Sequence, residues 1–436
     1  MNDQSRTTAN LLAKLNIDAL KPMQEEAISS ISANENTLLL SPTGSGKTLA
    51  FLIPIIQQID TNEQGIQALI LSPSRELAIQ IEQVLRSLGS GLKANAVYGG
   101  RPIKKDFEEL NHSPAILIGT PGRVLDHLER ESIDVSSTKF LVLDEFDKSL
   151  EVGFEEQMKE ILYRLRALKK RVLTSATKRV SIPGFVNFKG ATTIDYSSEK
   201  KSDLSLFFAT GKSANKMENL AMLLSQLSKG QGIVFCNFKD DIDQISTYLE
   251  GQNIEHVCFF GGMDQRERER ALIKFRNGSS RIMLATDLAA RGLDIPEIQF
   301  IVHYQLPFHK EEFVHRNGRT ARMHAQGAAY ILRGERDELK DYLGDYPVHE
   351  ILQNKEVSSS QWSTLFLSGG RKDKISKGDI AGFLIKTGGL KPDELGLIEL
   401  KQDCAFVAVS SKQAEELCKK VNNLKLKKRK LRVYTL

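Results

Sequence analysis

Short apolar runs recur along this chain, each followed by small or charged residues and then by a segment with helical spacing. Leu38-Leu39-Leu40 leads through Ser41–Thr48 into Leu49–Gln58. The pattern returns at Gln67–Ala78, Ala94–Gly100, Pro114–Arg123, Phe140–Asp147 and Val172–Thr177. Consecutive apolar positions, as opposed to alternating ones, mark strands buried on both faces, the habit of parallel sheets. Strands that alternate with helical segments predict βαβ units. A polar stretch, Tyr196–Ser202, separates these from a second series: Gly232–Asn237, a charged helix opening at Gly261–Arg268, Ile282–Ile295 and Ile301–Tyr304. Residues 1–36 read as mostly helical.

Beyond the linker Asn354–Gln361 the pattern changes. Residues 364–368 read as strand, 378–386 as helix, 395–400 and 405–409 as strands, 412–421 as helix and 430–435 as strand. That βαββαβ order is ferredoxin-like. A chain of 436 residues is too long for one compact core. The expected division is 1–203, 204–353, the linker 354–361, and 362–436.

Composition narrows the class. The hydrophobic share of 41% and charged share of 26% are those of an ordinary soluble protein. No apolar run reaches the ~18 residues of a membrane span, so no membrane partner is expected. The N-terminus shows no basic-then-apolar signal. Cys236, Cys258, Cys404 and Cys418 lie far apart and form no C-x-x-C pair, which suits reduced thiols and a cytoplasmic location. The net charge of +5 is unevenly spread: residues 361–436 hold 16 Lys and Arg against 8 Asp and Glu, and the remainder 44 against 47. The basic tail points to a nucleic-acid partner.

The chemistry gathers at the ends of the predicted strands. Thr43-Gly44-Ser45-Gly46-Lys47-Thr48, between an apolar strand and a helix, is the layout of a phosphate-binding loop, with Ser41 where the strict pattern has Gly. Small residues let backbone N–H groups close around an anion at a helix N-terminus. Lys47 would reach the β/γ-phosphates of ATP and Thr48 would hold Mg²⁺. Asp144 and Glu145, at the carboxyl end of Phe140–Leu143, would serve the metal through its water shell and the attacking water. The amide of Gln24 has the donor and acceptor an adenine edge requires. Three strands end in small residues with Arg or hydroxyl groups nearby: Pro73 and Arg75, Gly99 and Gly100, and Thr120, Gly122 and Arg123. Together they favour a groove for a nucleic-acid backbone. Ser175 and Thr177 end another strand in hydroxyls. In the second series, Arg319 and Arg322 stand three apart, on one face if helical, and could clamp a γ-phosphate.

Taken together, Gln24, residues 43–48, Pro73–Ala78, Gly99-Gly100, Thr120–Arg123, Asp144–Asp147, Ser175–Thr177, Gln265 with Arg268, Thr286–Asp294 and His315–Arg322 resemble the DEAD-box RNA helicases over about residues 10–350. The resemblance implies an α/β protein with two tandem RecA-like, P-loop NTPase domains that bind ATP and RNA. By it, Gln24, residues 43–48, Gly292 and Asp294 contact the nucleotide, and Arg319, Arg322 and His315 belong to the catalytic set. Asp147, Ser175 and Thr177 couple hydrolysis to domain closure, and Gln265, Arg268 and Thr286 contact RNA. The chain departs from the family at Phe146, where Ala is usual and where packing is expected, at Leu20-Lys21, at Thr7 near an expected aromatic, and at Asn317 and Ala321.

Residues 362–436 resemble the RNA-binding domain of DbpA-type helicases, an RRM-like α+β module. The likeness lies at Gly369–Lys374, Lys377–Ile380, Phe406–Val409 and Lys427–Val433. Phe366 and Phe406 are the aromatics of its central strands, so the basic segments Arg371, Lys372, Lys374 and Lys427, Lys428, Arg429, Lys430 are the expected RNA contacts. The resemblance implies a monomer that acts on structured RNA, a large-subunit ribosomal RNA hairpin in that family. Three other readings stay open: a DNA translocase, an ATP-gated RNA clamp with little unwinding, and a helicase without ribosomal specificity.

Overall fold

The computed structural model describes residues 6–42, 44–151, 153–176, 181–197, 204–227, 229–287, 298–320, 327–334, 337–352 and 359–436. The chain divides into two compact units, residues 1–201 and residues 202–291 with 295–436.

The first unit is built on seven strands: β1 (Asn36–Leu40), β2 (Ala68–Leu71), β3 (Ala94–Val97), β4 (Ile116–Gly119), β5 (Phe140–Leu143), β6 (Lys170–Ser175) and β7 (Thr192–Asp195). All pairings are parallel, in the order β3-β4-β2-β5-β6-β1-β7. Because side chains alternate along a strand, each one feeds two cores. Ala68, Ile70, Ile116, Ile118 and Val142 join one apolar layer, with Phe51, Ile55 and Ile81 from helices. Leu69, Leu71, Leu117, Leu141 and Leu143 join the other, with Val124 and Met158. This is why the strands read as unbroken apolar runs. Phe146 is fully buried in the second layer, so the third position of the Asp-Glu-Phe-Asp box packs as expected.

The second unit repeats the design with β8 (Leu204–Thr210), β9 (Gly232–Cys236), β10 (Val257–Phe259), β11 (Ile282–Thr286), β12 (Phe300–His303), β13 (Gly327–Leu332) and β14 (Val348–Glu350), ordered β10-β11-β9-β12-β13-β8-β14. Its last part is an antiparallel sheet, β15 (Trp362–Leu367), β16 (Leu395–Leu400), β17 (Ala405–Ser410) and β20 (Val433–Thr435), in the order β16-β17-β15-β20. Helices Lys377–Lys386 and Ala414–Val421 cover one face of it. The expected βαββαβ order is present, with one difference. The final strand begins at Val433 and not at residue 430, and the basic run before it forms a separate hairpin, β18 (Lys425–Leu426) and β19 (Arg429–Lys430). Lys427 takes φ +54° in its turn.

The antiparallel sheet meets the second parallel domain through polar groups. Asn277 Nδ2 donates to Thr364 Oγ1 (2.9 Å), Ser279 Oγ bonds the same hydroxyl (2.6 Å), and Ser360 Oγ donates to the Gly278 carbonyl (2.6 Å). Lys401 pairs with Glu269 at 2.7 Å. Thr364 is only 1% exposed, so this contact is dry at its centre. Among the described residues no helix is long and apolar enough to cross a membrane.

Candidate active site and nucleic-acid interface

Parallel strands share one carboxyl edge, and in open α/β sheets that edge holds the ligand. On the first sheet, β6 lies between β1, which feeds the phosphate loop, and β5, which ends in Asp144. Gly44 (φ +82°) and Gly46 (φ +97°) supply left-handed backbone that a side chain would strain. Helix Lys47–Gln58 starts at Gly46 with no side-chain cap, the kind of helix N-terminus that suits an anion. Lys47 is buried. Its ammonium donates to the carbonyls of Ser41 (2.6 Å) and Pro42 (2.9 Å), folding the loop closed. Thr48 is the second helical residue. Thr43 lies outside the described residues.

Gln24 sits against this loop, on helix Pro22–Ala33. Its Nε2 donates to the Gly46 carbonyl (3.2 Å) and its Oε1 accepts from the Lys21 N–H (2.9 Å). A Cβ at position 46 would collide with that amide. One N–H and one lone pair of Gln24 remain for a ligand. The structure thus adds a role: Gln24 props the phosphate loop.

Thr174 does what sequence reasoning missed. Its hydroxyl donates to Asp144 Oδ1 (2.5 Å) and accepts from the Glu145 N–H (3.0 Å). One side chain on β6 therefore holds the Asp144 carboxyl and the Glu145 backbone, just beyond β5. Only the apolar-to-hydroxyl switch after Leu173 hinted at it. Burial, then the neighbouring Glu145, pushes the Asp144 carboxyl up to about 6, while Thr174 and Lys47 oppose the rise. A carboxyl this reluctant to ionise gains from a cation beside it. Glu145 adopts φ +47°, a left-handed conformation uncommon for a non-glycine residue and typical of functional turns. Ser175, 1% exposed, ends β6, and its carbonyl accepts from the Ser41 N–H (3.1 Å). Asp147 is likewise buried in helix Phe146–Glu151. Thr177 lies outside the described residues.

The three glycine- and hydroxyl-ended segments adjoin on the strands β2, β4 and β3. Ser74 caps helix Arg75–Ser87, so Arg75 opens it just after Pro73. The Arg75 guanidinium packs over Gly99–Gly100, and a Cβ at Gly100 (φ +85°) would collide with it. Thr120 precedes helix Pro121–Glu129, whose Gly122 faces open space. The Arg123 guanidinium turns inward, to the carbonyls of Tyr98 (3.1 Å) and Arg101.

On the second sheet, Gln265 opens helix Gln265–Arg276 and Arg268 stacks over Phe259 at 4.4 Å, with Nη1 on the Phe260 carbonyl (3.2 Å). Thr286 ends β11. The next residue, Asp287, accepts two bonds from Arg316, at 2.7 and 2.6 Å. Arg316 also donates to Gln305 O (2.6 Å) and Asn237 Oδ1 (2.8 Å), tying β9, β11 and β12 together. It is 2% exposed, and it was not among the expected site residues. His315 lies on helix Lys310–Asn317, which ends before Arg319. Arg319, 5% exposed, follows just beyond the helix end at Gly318. Arg322, Gly292 and Asp294 lie outside the described residues.

In the antiparallel sheet, Phe366 faces Phe406 on one side and Tyr434 on the other, with ring centroids 5.6 and 4.9 Å apart. Tyr434 extends the aromatic row beyond the two central strands. Lys427 Nζ donates to the Lys374 carbonyl (2.5 Å) and pairs with Asp379 (2.5 Å), which docks the basic hairpin onto the Arg371–Lys374 loop. Lys427 and Ser376 hold the Asp379 carboxyl down at about 2. Lys428, Arg429 and Lys430 are exposed.

Three family models match the chain: DEAD/DEAH box helicase over residues 21–182, helicase conserved C-terminal domain over 215–324, and DbpA RNA binding domain over 364–434. The chain is 32% identical to the ATP-dependent RNA helicase DbpA of Escherichia coli, across 98% of this chain and 96% of that protein. It is 29% identical to the DbpA of Bacillus subtilis, across 94% and 93%. Among solved structures it is similar to Mss116p bound to single-stranded RNA and AMP-PNP (TM-score 0.67, 26% identity, 76% of this chain and 72% of that one). It is similar also to S. cerevisiae Dbp5 bound to RNA and ADP BeF3 (TM-score 0.66, 25% identity, 75% and 86%). With two RecA-like parallel-sheet domains, a DbpA-type tail and near full-length likeness to its relatives, this chain belongs to the DEAD-box ATP-dependent RNA helicases of the DbpA type.

Proposed function

We propose that this helicase unwinds structured RNA locally, on large-subunit ribosomal RNA during assembly, and that residues 362–436 choose the site by holding a hairpin. The observation that carries the reading is the tail's charge and where it lies. Exposed Lys428, Arg429 and Lys430 stand on a hairpin that Lys427 fastens to the Arg371–Lys374 loop. A held hairpin raises the local concentration of neighbouring duplex at the core.

In the core, Lys47 and the loop N–H groups bind the phosphates and Glu145 orients the attacking water. Gln24 meets the adenine, and Arg319 and Arg322 steady the charge that develops on the γ-phosphate. His315 belongs with them. Thr48 and Asp144 would hold Mg²⁺. One hydroxyl and one buried carboxylate suit an ion that keeps most of its waters, and when bound it neutralises phosphate charge. Asp147 and Ser175 pass the state of the nucleotide to the RNA grip. RNA runs past Arg75, Gly99, Gly100, Thr120 and Gly122 on the first domain and past Gln265, Arg268 and Thr286 on the second. With ATP bound, the core grips one bent strand and sheds its complement; hydrolysis then releases the strand. The protein works as a cytoplasmic monomer with domains 1–203, 204–353 and 362–436.

The test is steady-state ATPase with no RNA, with generic single-stranded RNA and with total ribosomal RNA, on the natural chain and on Lys428→Glu/Lys430→Glu. Strong stimulation by ribosomal RNA alone, lost in the variant, is the expected result. Equal stimulation by every RNA in both chains would leave a generalist helicase and refute the tail's role.

A further inference from the structure

Asp106 is a carboxylate with no exposed surface, on helix Ile103–Leu110 just after the Gly99–Gly100 turn. A buried ion of this kind is tolerated only when other charges and hydrogen bonds surround it. Here Arg101 Nε pairs with it directly, Arg123 Nε stands at 3.3 Å and His127 Nε2 at 3.1 Å. The His127 ring is buried too, and its Nδ1 bonds Ser132 Oγ at 2.7 Å. Each arginine is used further. Arg101 reaches the Ala96 carbonyl (3.1 Å) and Glu109 (2.8 Å); Arg123 reaches the carbonyls of Tyr98 and Arg101. Their side chains are only 14% and 11% exposed.

One carboxylate thus joins the glycine turn, its following helix and the helix that opens at Thr120. We propose that Asp106 is a positioning residue for RNA: by holding Arg101 and Arg123 inward, it sets the backbone N–H groups of Gly99, Gly100 and Gly122 as the phosphate contacts. Arg101 and Arg123 are braces for that grip and carry no phosphate themselves. The inference rests on the reading that RNA lies along this edge. The local features agree with it. The helix start has no side-chain cap, and Gly122 has open space where a Cβ would stand. The Arg75 guanidinium packs against Gly99 and Gly100 of the same turn.

The test is the salt dependence of single-stranded RNA binding by the full chain, because each phosphate held by a cationic side chain adds about 0.7 to the slope of log K against log salt. Arg75→Gln, on the residue assigned directly to phosphate, is expected to lower the slope by about that amount. Arg123→Gln is expected to leave the slope unchanged while raising the RNA concentration for half-maximal ATPase about tenfold. Asp106→Asn should produce the same rise, and the double variant should be no worse than either single one, as for groups acting as one unit. A slope lowered by Arg123→Gln, or additive losses in the double variant, would overturn the proposal alone. A slope untouched by Arg75→Gln would remove RNA from this edge, and the underlying reading with it. If Asp106→Asn does not fold, the Arg123→Gln slope still decides.

Discussion

The two parallel sheets are built alike, seven strands each with apolar layers, yet their carboxyl edges spend charge differently. On the first, two acids stand side by side in a turn with a left-handed glutamate, and one threonine hydroxyl holds them both. The Asp144 carboxyl is pushed well above its ordinary range, a state that favours an incoming cation. On the second, Arg316, the most buried arginine among the described residues, is fully matched by Asp287, Asn237 and a carbonyl. One edge holds a carboxyl pair in a left-handed turn; on the other, among the described residues, Arg316 is matched on every nitrogen. The same architecture therefore presents a carboxyl pair at one edge and a buried ion pair at the other according to a few residues at strand ends, where fold and chemistry are least coupled.

That contrast predicts different failures. The largest effect is expected from Lys47→Ala, which removes the cation of the phosphate loop and should cut RNA-stimulated ATPase by on the order of 10³, with little change in melting. Arg316→Gln should do the reverse in kind. It leaves the buried face of Asp287 uncompensated, at a cost of about 3–5 kcal/mol, seen as an early transition of the second unit in urea. Thr174→Val should lower ATPase turnover about 10- to 100-fold by freeing Asp144 and Glu145, whereas Thr174→Ser should retain most of it. A stability loss in Thr174→Val as large as that of Arg316→Gln would erase the distinction between the edges.

The smallest effect concerns pH. His303 is fully buried, bonded to Asn317 (2.9 Å) and stacked on Phe313. Burial, then the nearby Arg316, lowers its pKa to about 3 from 6.5. The unfolded chain thus takes up this proton first, so the stability from neutral His303 is full above about pH 6.5 and fades as pH falls toward 3. At pH 5 the loss should be about 2 kcal/mol, and His303→Gln should flatten it. Melting curves at pH 7 and pH 5 check this.

Much of this was legible in the chain. Apolar runs gave the parallel strands because both faces are buried, and the Gly-rich turn, the acidic pair and the basic tail stood out by spacing. Four things were not legible. Thr174 looked like one more strand residue, since nothing local says that its hydroxyl faces the neighbouring strand's acids. Arg316 sat beside more conspicuous arginines, and only tertiary packing buries it. Asp106 lay in an ordinary amphipathic helix, its partners coming from two other segments. The last strand was expected to begin at residue 430, and the hairpin before it was not expected, because a positive-φ turn at Lys427 has no glycine or asparagine to announce it.

The central claim is that hydrolysis is concentrated at the first edge, on Glu145, while ATP binding itself drives strand separation. A single-round unwinding assay on Glu145→Gln, with a duplex beside an RNA hairpin and excess ATP, tests it most directly. The account predicts that one round of separation persists while steady-state phosphate release is lost. Loss of both would contradict it and make hydrolysis, not binding, the step that parts the strands.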